Sequence, residues 1–355
     1  MNKIYELSVQ HGYQVFTLAN KLIWQKFVRN SVFHDFYHSW TYHFMEKSGT
    51  PKLFVYSEGE DFIALPVLVR PVLDTEYSDI TSVYGYAGPV SNVKFEDMAE
   101  CLKNNFKNAF INFLKAEKNI SVFCRLHPFT NQEILLEKFG GLHSNGRTVV
   151  IDLRTTIEAQ RSKYRRTIKE NINHLRNNGY QVKEAKNGKG IQDFIEIYLE
   201  NMRRIGASEN YLFDEDYFLK LLNSDEIDSK LLLVYFNGEA ICGTIIIYTN
   251  KIIQGHLMCT KTNYLKKSPA KLLVDEVSVL GRADNMEYYH LGGGIGGNDD
   301  SLFNWKAGFS DMFLNFKTWR LISDENAYNE LTNNVYPVSE ESSDFFPLYR
   351  RGGSA

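Results

Sequence analysis

The sequence predicts an α+β protein built from two successive units of similar element order, each a mixed sheet flanked by helices. Three observations carry this. Strand-like and helix-like stretches alternate twice along 355 residues, a length that accommodates two compact units. The apolar residues change period between neighbouring stretches, from near two to near 3.6. Turn residues such as Asn237-Gly238 and Thr249-Asn250 mark several of the changes.

In the first unit, 52–56 and 62–69 read as a strand pair across the turn Glu58-Gly59-Glu60-Asp61. Residues 94–118 read as a long helix, because Phe106, Phe110, Phe113 and Leu114 recur at helical spacing. A strand over 120–126 ends at His127-Pro128. In the second unit a basic helix over 155–178 stops at Gly179, a strand covers 180–184, and a helix over 191–205 stops at Gly206. A meander follows over 230–236, 239–248 and 251–260. Then come a helix over 268–282, a strand over 286–291, a glycine loop and a strand over 315–322. The expected units are therefore 1–150 and 151–322. A helix within 323–335 is expected to pack back on the first unit, and the polar tail 336–355 to be disordered.

Hydrophobic residues make up 43% and charged residues 23%, which favours a soluble globular protein over long disorder. The formal net charge of −3 gives no global basic field, so any polyanion site must be local. Cys101, Cys124, Cys242 and Cys259 form no CxxC pair and read as reduced residues of a cytoplasmic protein. The first residues carry no signal-peptide pattern, and no apolar run is long enough for a transmembrane segment. No metal is expected, since HExxH is absent and Asp299-Asp300 alone is not a ligand set. The glycine run lacks the GxGxxG spacing of a dinucleotide site.

Residues 291–309 read LGGGIGGNDDSLFNWKAGF. The glycines have no side chains to pack and lose more backbone entropy on ordering than other residues. The run follows a strand and leads into the bulky Leu302-Phe303-Asn304-Trp305, so it reads as a strand-to-helix site loop rather than a linker. A meander, a helix entered after the loop 262–269, a strand and a site loop follow the element order of the GNAT acyltransferase fold. With Asp300-Ser301-Leu302-Phe303 and Lys306-Ala307-Gly308-Phe309, the closing run resembles the signature of FemAB-like acyltransferases, which include the peptidoglycan-bridge aminoacyl transferases and the related BioF2-like GNAT proteins of surface-polysaccharide clusters. Three further stretches agree: Tyr84-Gly85-Tyr86-Ala87-Gly88-Pro89, Arg165-Arg166-x-Ile168-Lys169, and Arg204-Ile205-Gly206. The resemblance implies tandem duplicated GNAT-like subdomains, the first binding the acceptor and the second binding the donor and carrying the catalytic centre.

It also implies N-acyl transfer to an amine of a cell-envelope glycan precursor, such as an amino sugar of a surface polysaccharide or a peptidoglycan precursor. That acceptor would be nucleotide- or lipid-linked, which brings the protein near a membrane surface. Lys306, between Trp305 and Phe309, is the candidate cation for the oxyanion that forms when an amine attacks an ester or thioester. Asp300 joins it in the candidate catalytic set, and His127 is the candidate acceptor of the amine proton. Gly293 and Gly294 would provide backbone clearance beside the reacting group, with Trp305 limiting solvent. Arg165 and Lys169 share a helix face and, with Arg204, would hold phosphates; only Glu158 and Glu170 oppose them on the same helix. Tyr84 and Tyr86 offer stacking faces and hydroxyls to a substrate.

No tightly bound cofactor is expected. The co-substrate is left open between acyl-CoA and aminoacyl-tRNA. The turn 266–271 has no glycine and a proline that removes a donor, which disfavours standard CoA binding, while the acidic net charge disfavours tRNA. The competing class is a non-catalytic nucleotide-sugar or RNA-binding protein of the same fold.

Overall fold

In the computed structural model the described residues are 12–335 and 345–351. Those up to Asn145 and those from Phe316 onward form one unit, and Gly146–Asn315 form the other.

The first unit opens with β1 (Gly12–Thr17), α1 (Lys21–Arg29) and α2 (Trp40–Met45), followed by β2 (Thr50–Glu58) and β3 (Asp61–Pro71). Short strands β4 (Ser78–Thr81) and β5 (Val90–Ser91) precede α3 (Glu100–Ala116), β6 (Asn119–Arg125) and α4 (Glu133–Leu136). Strands β1 to β4 pair antiparallel in sequence order, and β6 lies parallel to β4. The phenylalanine spacing places α3 on this sheet: Phe106, Phe110, Phe113 and Leu114 are buried against Phe54, Ile63 and Leu65. The helix starts at Glu100 rather than 94, yet Phe95 and Met98 still enter the same core.

The second unit receives most of β7 (Leu142–Asp152), then α5 (Ile157–Lys163), α6 (Arg166–Asn177), β8 (Gln181–Glu184), α7 (Gly188–Arg204) and α8 (Glu215–Leu222). The meander is β9 (Asp228–Phe236), β10 (Glu239–Thr249) and β11 (Ile252–Thr260). It leads to α9 (Ala270–Ala283), β12 (Tyr288–Gly292) and α10 (Ser301–Lys306). Strands β8 to β11 pair antiparallel, β12 lies parallel to β11, and β7 closes antiparallel on β12. Leucine, isoleucine and valine from these strands and from α6 and α9 form the core of this unit. Then come β13 (Met312–Ile322), whose Thr318–Ile322 pair antiparallel with β6, and α11 (Glu325–Val335).

Two expectations need correction. The basic helix is not continuous: Tyr164 and Arg165 take extended backbone, with ψ of 139° and 142°. The tertiary fit causes the break. Tyr164 is buried edge-on against Phe309 at 5.3 Å, and the Arg165 N–H donates to the Gly308 carbonyl at 2.9 Å. The tail is not wholly unstructured either. Tyr349 packs with Phe346 and Leu348 around Tyr328 and Ile120, and its hydroxyl donates to Asp79 at 3.0 Å. Residues 336–344 and 352–355 of that expectation lie outside the described residues. Among the described residues, no helix is long and apolar enough to cross a membrane.

Candidate functional site

The site in the second unit begins where two strands part. β11 and β12 run parallel for three pairs only, Ile252 with Tyr288, Ile253 with Tyr289, and Gln254 with His290. On the other side of β11, the register slips between Leu257 and Gly255, leaving His256 as an inserted residue. Such a bulge bends its strand and redirects side chains. Gly255 occupies the bend, and the Thr244 hydroxyl donates to the Leu257 carbonyl at 2.8 Å. A bond of 2.7 Å between His290 Nδ1 and Gln254 Oε1 fixes the last rung before the strands separate. Beyond it lies a cavity of about 340 Å³, lined among others by Gly255, His256, Tyr289, Leu302, Trp305 and Lys306.

Lys306 reaches this cavity from the end of α10. Its Nζ donates to the Gly293 carbonyl at 2.6 Å. Burial pulls the ammonium down to about 8, with the Asp300 carboxylate pushing weakly the other way. Trp305 lines the same cavity and meets Phe309 edge-on at 5.1 Å. Arg204 belongs nearby through Asn201, another lining residue, to whose Oδ1 it donates at 2.7 Å.

The glycine loop is explained by its own packing. A Cβ on Gly294 would lie 2.1 Å from the Asn298 carbonyl oxygen and 2.4 Å from Asp300 Oδ1, and one on Gly293 would lie 2.9 Å from the Arg147 carbonyl oxygen. The space expected beside these glycines for a ligand is taken by the protein, because the loop folds tightly on itself and on β7. Gly293 contributes through its carbonyl instead. Asp300 also has a different task from the expected one. It caps α10, accepting from the Phe303 and Ile295 backbone N–H groups at 2.8 Å each. Those bonds hold its carboxyl below the usual range.

The basic stretch and the closing motif, about 140 residues apart in sequence, meet in space. A Cβ on Gly308 would lie 2.5 Å from Ile168 Cδ1, so the glycine lets this turn seat on the start of α6. Arg165 donates to the Asn304 carbonyl at 2.9 Å, and Lys169 to the Ser162 carbonyl at 3.5 Å. Much of the positive charge is matched by carboxylates from other elements. Arg161 and Arg176 both pair with the buried Asp275, at 2.7 and 2.5 Å, and Lys163 pairs with Asp311 at 2.7 Å. Counting acids on the helix alone missed them.

Tyr84, Tyr86 and His127 belong to the first unit. Gln132 clamps their turn, donating to the Ala87 and Pro89 carbonyls at 2.9 and 3.0 Å while accepting from the His127 N–H at 2.8 Å. Tyr84 is 52% exposed, with the Arg125 guanidinium 5.5 Å from its ring centre. Tyr86 is half-buried, its ring 5.5 Å from Phe316 and 6.4 Å from His127. His127 is buried, with Nε2 2.9 Å from Asp35 Oδ2 and Nδ1 accepting from the Phe129 N–H at 3.3 Å. Both ring nitrogens are thus engaged within the protein, which suits a structural histidine better than a proton acceptor. His38 lies against the same Asp35, and His34 and His38 stand four residues apart. Among the described residues, no group of three or more side chains could hold a metal ion.

Sequence reasoning missed Tyr289, His256 and Gly255. A signal for two of them existed: Gly255-His256 interrupts the apolar run of a strand, as bulges do.

No family model matches this sequence, and no curated protein matches it. Solved structures do match. FemX is similar with a TM-score of 0.67 at 11% identity, covering 89% of this chain and 99% of that one. L-PGS from Bacillus licheniformis gives 0.59 at 13% identity, covering 86% and 93%. The C-terminal domain of a putative lysylphosphatidylglycerol synthetase from Agrobacterium fabrum gives 0.57 at 12% identity, covering 87% and 94%. This chain shares the fold of those proteins along most of its length.

Proposed function

We propose that this protein is an N-acyltransferase whose donor carbonyl lies in the cavity between β11 and β12. The acceptor would be an amine of a cell-envelope glycan precursor, nucleotide- or lipid-linked. One observation carries the reading: a half-buried lysine, anchored on a loop carbonyl, lines a cavity opened by two parting parallel strands.

In the reaction the amine nitrogen bonds to the carbonyl carbon, and the carbonyl electrons move onto oxygen. The bond from carbon to the donor's sulfur or oxygen then breaks, and the amine proton leaves with the released thiol or hydroxyl. Lys306 supplies the positive charge. Its ammonium has three donors, and Gly293 takes one, leaving two for the oxyanion. His256 suits the role of base poorly, because burial holds its imidazole down to about 3.

Both candidate donors, acyl-CoA and aminoacyl-tRNA, carry phosphates. Lys266, Lys267 and Lys271 flank the start of α9, where the helix dipole also favours an anion. Asn171 of α6 donates to the Lys267 carbonyl at 3.1 Å, so the α6 segment that bears Lys169 reaches the same turn. These groups support a phosphate-bearing donor of either kind. The Agrobacterium fabrum neighbour, described as a putative lysylphosphatidylglycerol synthetase, is compatible with acyl transfer at a lipid surface.

The test is Lys306→Ala in the full chain, assayed for transfer to an amino sugar and checked for folding by thermal melting. A loss of roughly a hundred- to a thousandfold in kcat is expected, the range for removing one oxyanion donor. Wild-type kcat should also fall as pH rises through about 8, where the ammonium loses its proton. Undiminished turnover in the variant would exclude this mechanism. Stabilisation by a nucleotide sugar or RNA, with no transfer to any amine, would identify a binding protein instead.

A further inference from the structure

The cavity's lining carries information about what it accepts, provided that the transfer reading above is right. Most of the wall is apolar: Met258, Leu265, Val274, Leu291, Leu302 and Trp305. Neither aspartate nor glutamate is among the lining residues. Lys306 brings a positive charge, and His256 lies 3.0 Å from the Tyr217 hydroxyl through Nε2. An α-ammonium, as an aminoacyl group carries at neutral pH, would meet that lysine with no carboxylate in the lining to pair with it, since the nearby Asp300 is engaged by the Ile295 and Phe303 backbone N–H groups.

Among the described residues that line the cavity, one buried side-chain oxygen has no partner. The Tyr289 hydroxyl is buried and has no hydrogen-bond partner among the described residues. It lies 3.6 Å from the place where a Cβ on Gly255 would be, and Gly255 also lines the cavity. A buried hydroxyl left unpaired is costly, and such groups in native proteins usually find a partner in water or a ligand.

We propose that this cavity selects an uncharged acyl group bearing a hydroxyl or carbonyl oxygen that hydrogen-bonds to Tyr289, and discriminates against aminoacyl groups. The substrate class is then a short oxygenated acyl thioester. Tyr289 is the specificity-determining residue, since it touches the acyl chain rather than the reacting carbon.

The test compares four donors with the full chain and glucosamine as the acceptor: butanoyl-CoA, 3-hydroxybutanoyl-CoA, β-alanyl-CoA and alanyl-tRNA. The 3-hydroxybutanoyl donor should exceed butanoyl about three- to tenfold in kcat/KM, the worth of one hydrogen bond. The β-alanyl donor should fall about a hundredfold below butanoyl. Tyr289→Phe should bring the hydroxybutanoyl-to-butanoyl ratio to about one. Because that variant removes a buried group, Leu302→Asp gives an independent reading. It puts a carboxylate on a 40% exposed lining residue at the start of α10 and should raise β-alanyl transfer relative to butanoyl. Transfer that favours β-alanyl or alanyl-tRNA, or a ratio indifferent to Tyr289→Phe, overturns this proposal while leaving acyl transfer standing. Failure of all four donors with folded protein removes the underlying reading as well, and this proposal with it.

Discussion

Two glycine-containing turns, one in each unit, were read from sequence as ligand sites, and their fates differ. The turn of residues 84–89 is filled by the protein itself: a Cβ on Gly85 would lie 2.0 Å from the Tyr37 ring, and one on Gly88 would lie 2.5 Å from the Gln132 amide. Its neighbours Asp35, His127 and Gln132 close on one another through hydrogen bonds. The turn of residues 292–297 is closed at Gly293 and Gly294 but exposed at Ile295, and it holds Lys306 beside a cavity whose Tyr289 hydroxyl has no partner among the described residues. Glycine density therefore did not separate the two. Open space beside an unpaired group did: His38 Nε2 in the first unit is also buried without a partner among the described residues, whereas the Tyr289 hydroxyl adjoins a cavity that can admit a ligand.

The contrast can be broken most strongly with acid. In the first unit, burial holds the His38 imidazole down to about 3 and the His43 imidazole down to about 4, from 6.5. The unfolded chain then binds more protons than the folded one between pH 6.5 and those values, so stability is full above 6.5 and falls as pH falls. At about 1.4 kcal/mol per unit and histidine, the loss by pH 4.5 is on the order of 5 kcal/mol. Urea titrations at pH 7.0, 5.5 and 4.5 measure it, and a midpoint that does not move would contradict the burial of these rings.

Replacing His127 by Ala should cost about 3–5 kcal/mol, because Asp35 is left as a buried charge without this partner. Turnover of the folded fraction should fall less than tenfold. A far larger kinetic loss at unchanged stability would return His127 to the chemistry. Gly308→Ala forces a Cβ to within 2.5 Å of Ile168 and 3.1 Å of the Trp305 carbonyl oxygen, and should cost about 1–3 kcal/mol by the same denaturation assay. The smallest effect belongs to Lys163→Ala. Its exposed pair with Asp311 is worth about 0.2–1 kcal/mol, so a change in melting temperature near the detection limit is expected.

What was legible in the sequence was mainly periodicity and punctuation. Phe106, Phe110, Phe113 and Leu114 announce one helix face, and Asn237-Gly238 announces a hairpin, since both signals are local. The break at Tyr164 was not legible, because it depends on Phe309 and Gly308 far along the chain. The neutralisation of the basic helices by Asp275 and Asp311 has the same character. The packing of Tyr349 on Tyr328 does too, in a tail whose composition reads as disordered.

By itself the sequence determined the α+β class, the order of β2, β3, α3 and β6 and of the elements from β8 to β12 apart from α8, and the placing of Lys306 just after a strand-to-helix loop, while β1, α1, α2, β7 and α8 went unannounced. These follow from hydrophobic period, turn chemistry and covalent neighbourhood, which act over a few residues. Only the tertiary structure decided that the glycines clear space for their own loop, that Asp300 caps a helix, and that Tyr289, His256 and Lys306 line one cavity. Those outcomes depend on which backbone atoms approach within about 3 Å and on where two parallel strands separate. Such distances are fixed when distant segments pack together, and no local pattern encodes them.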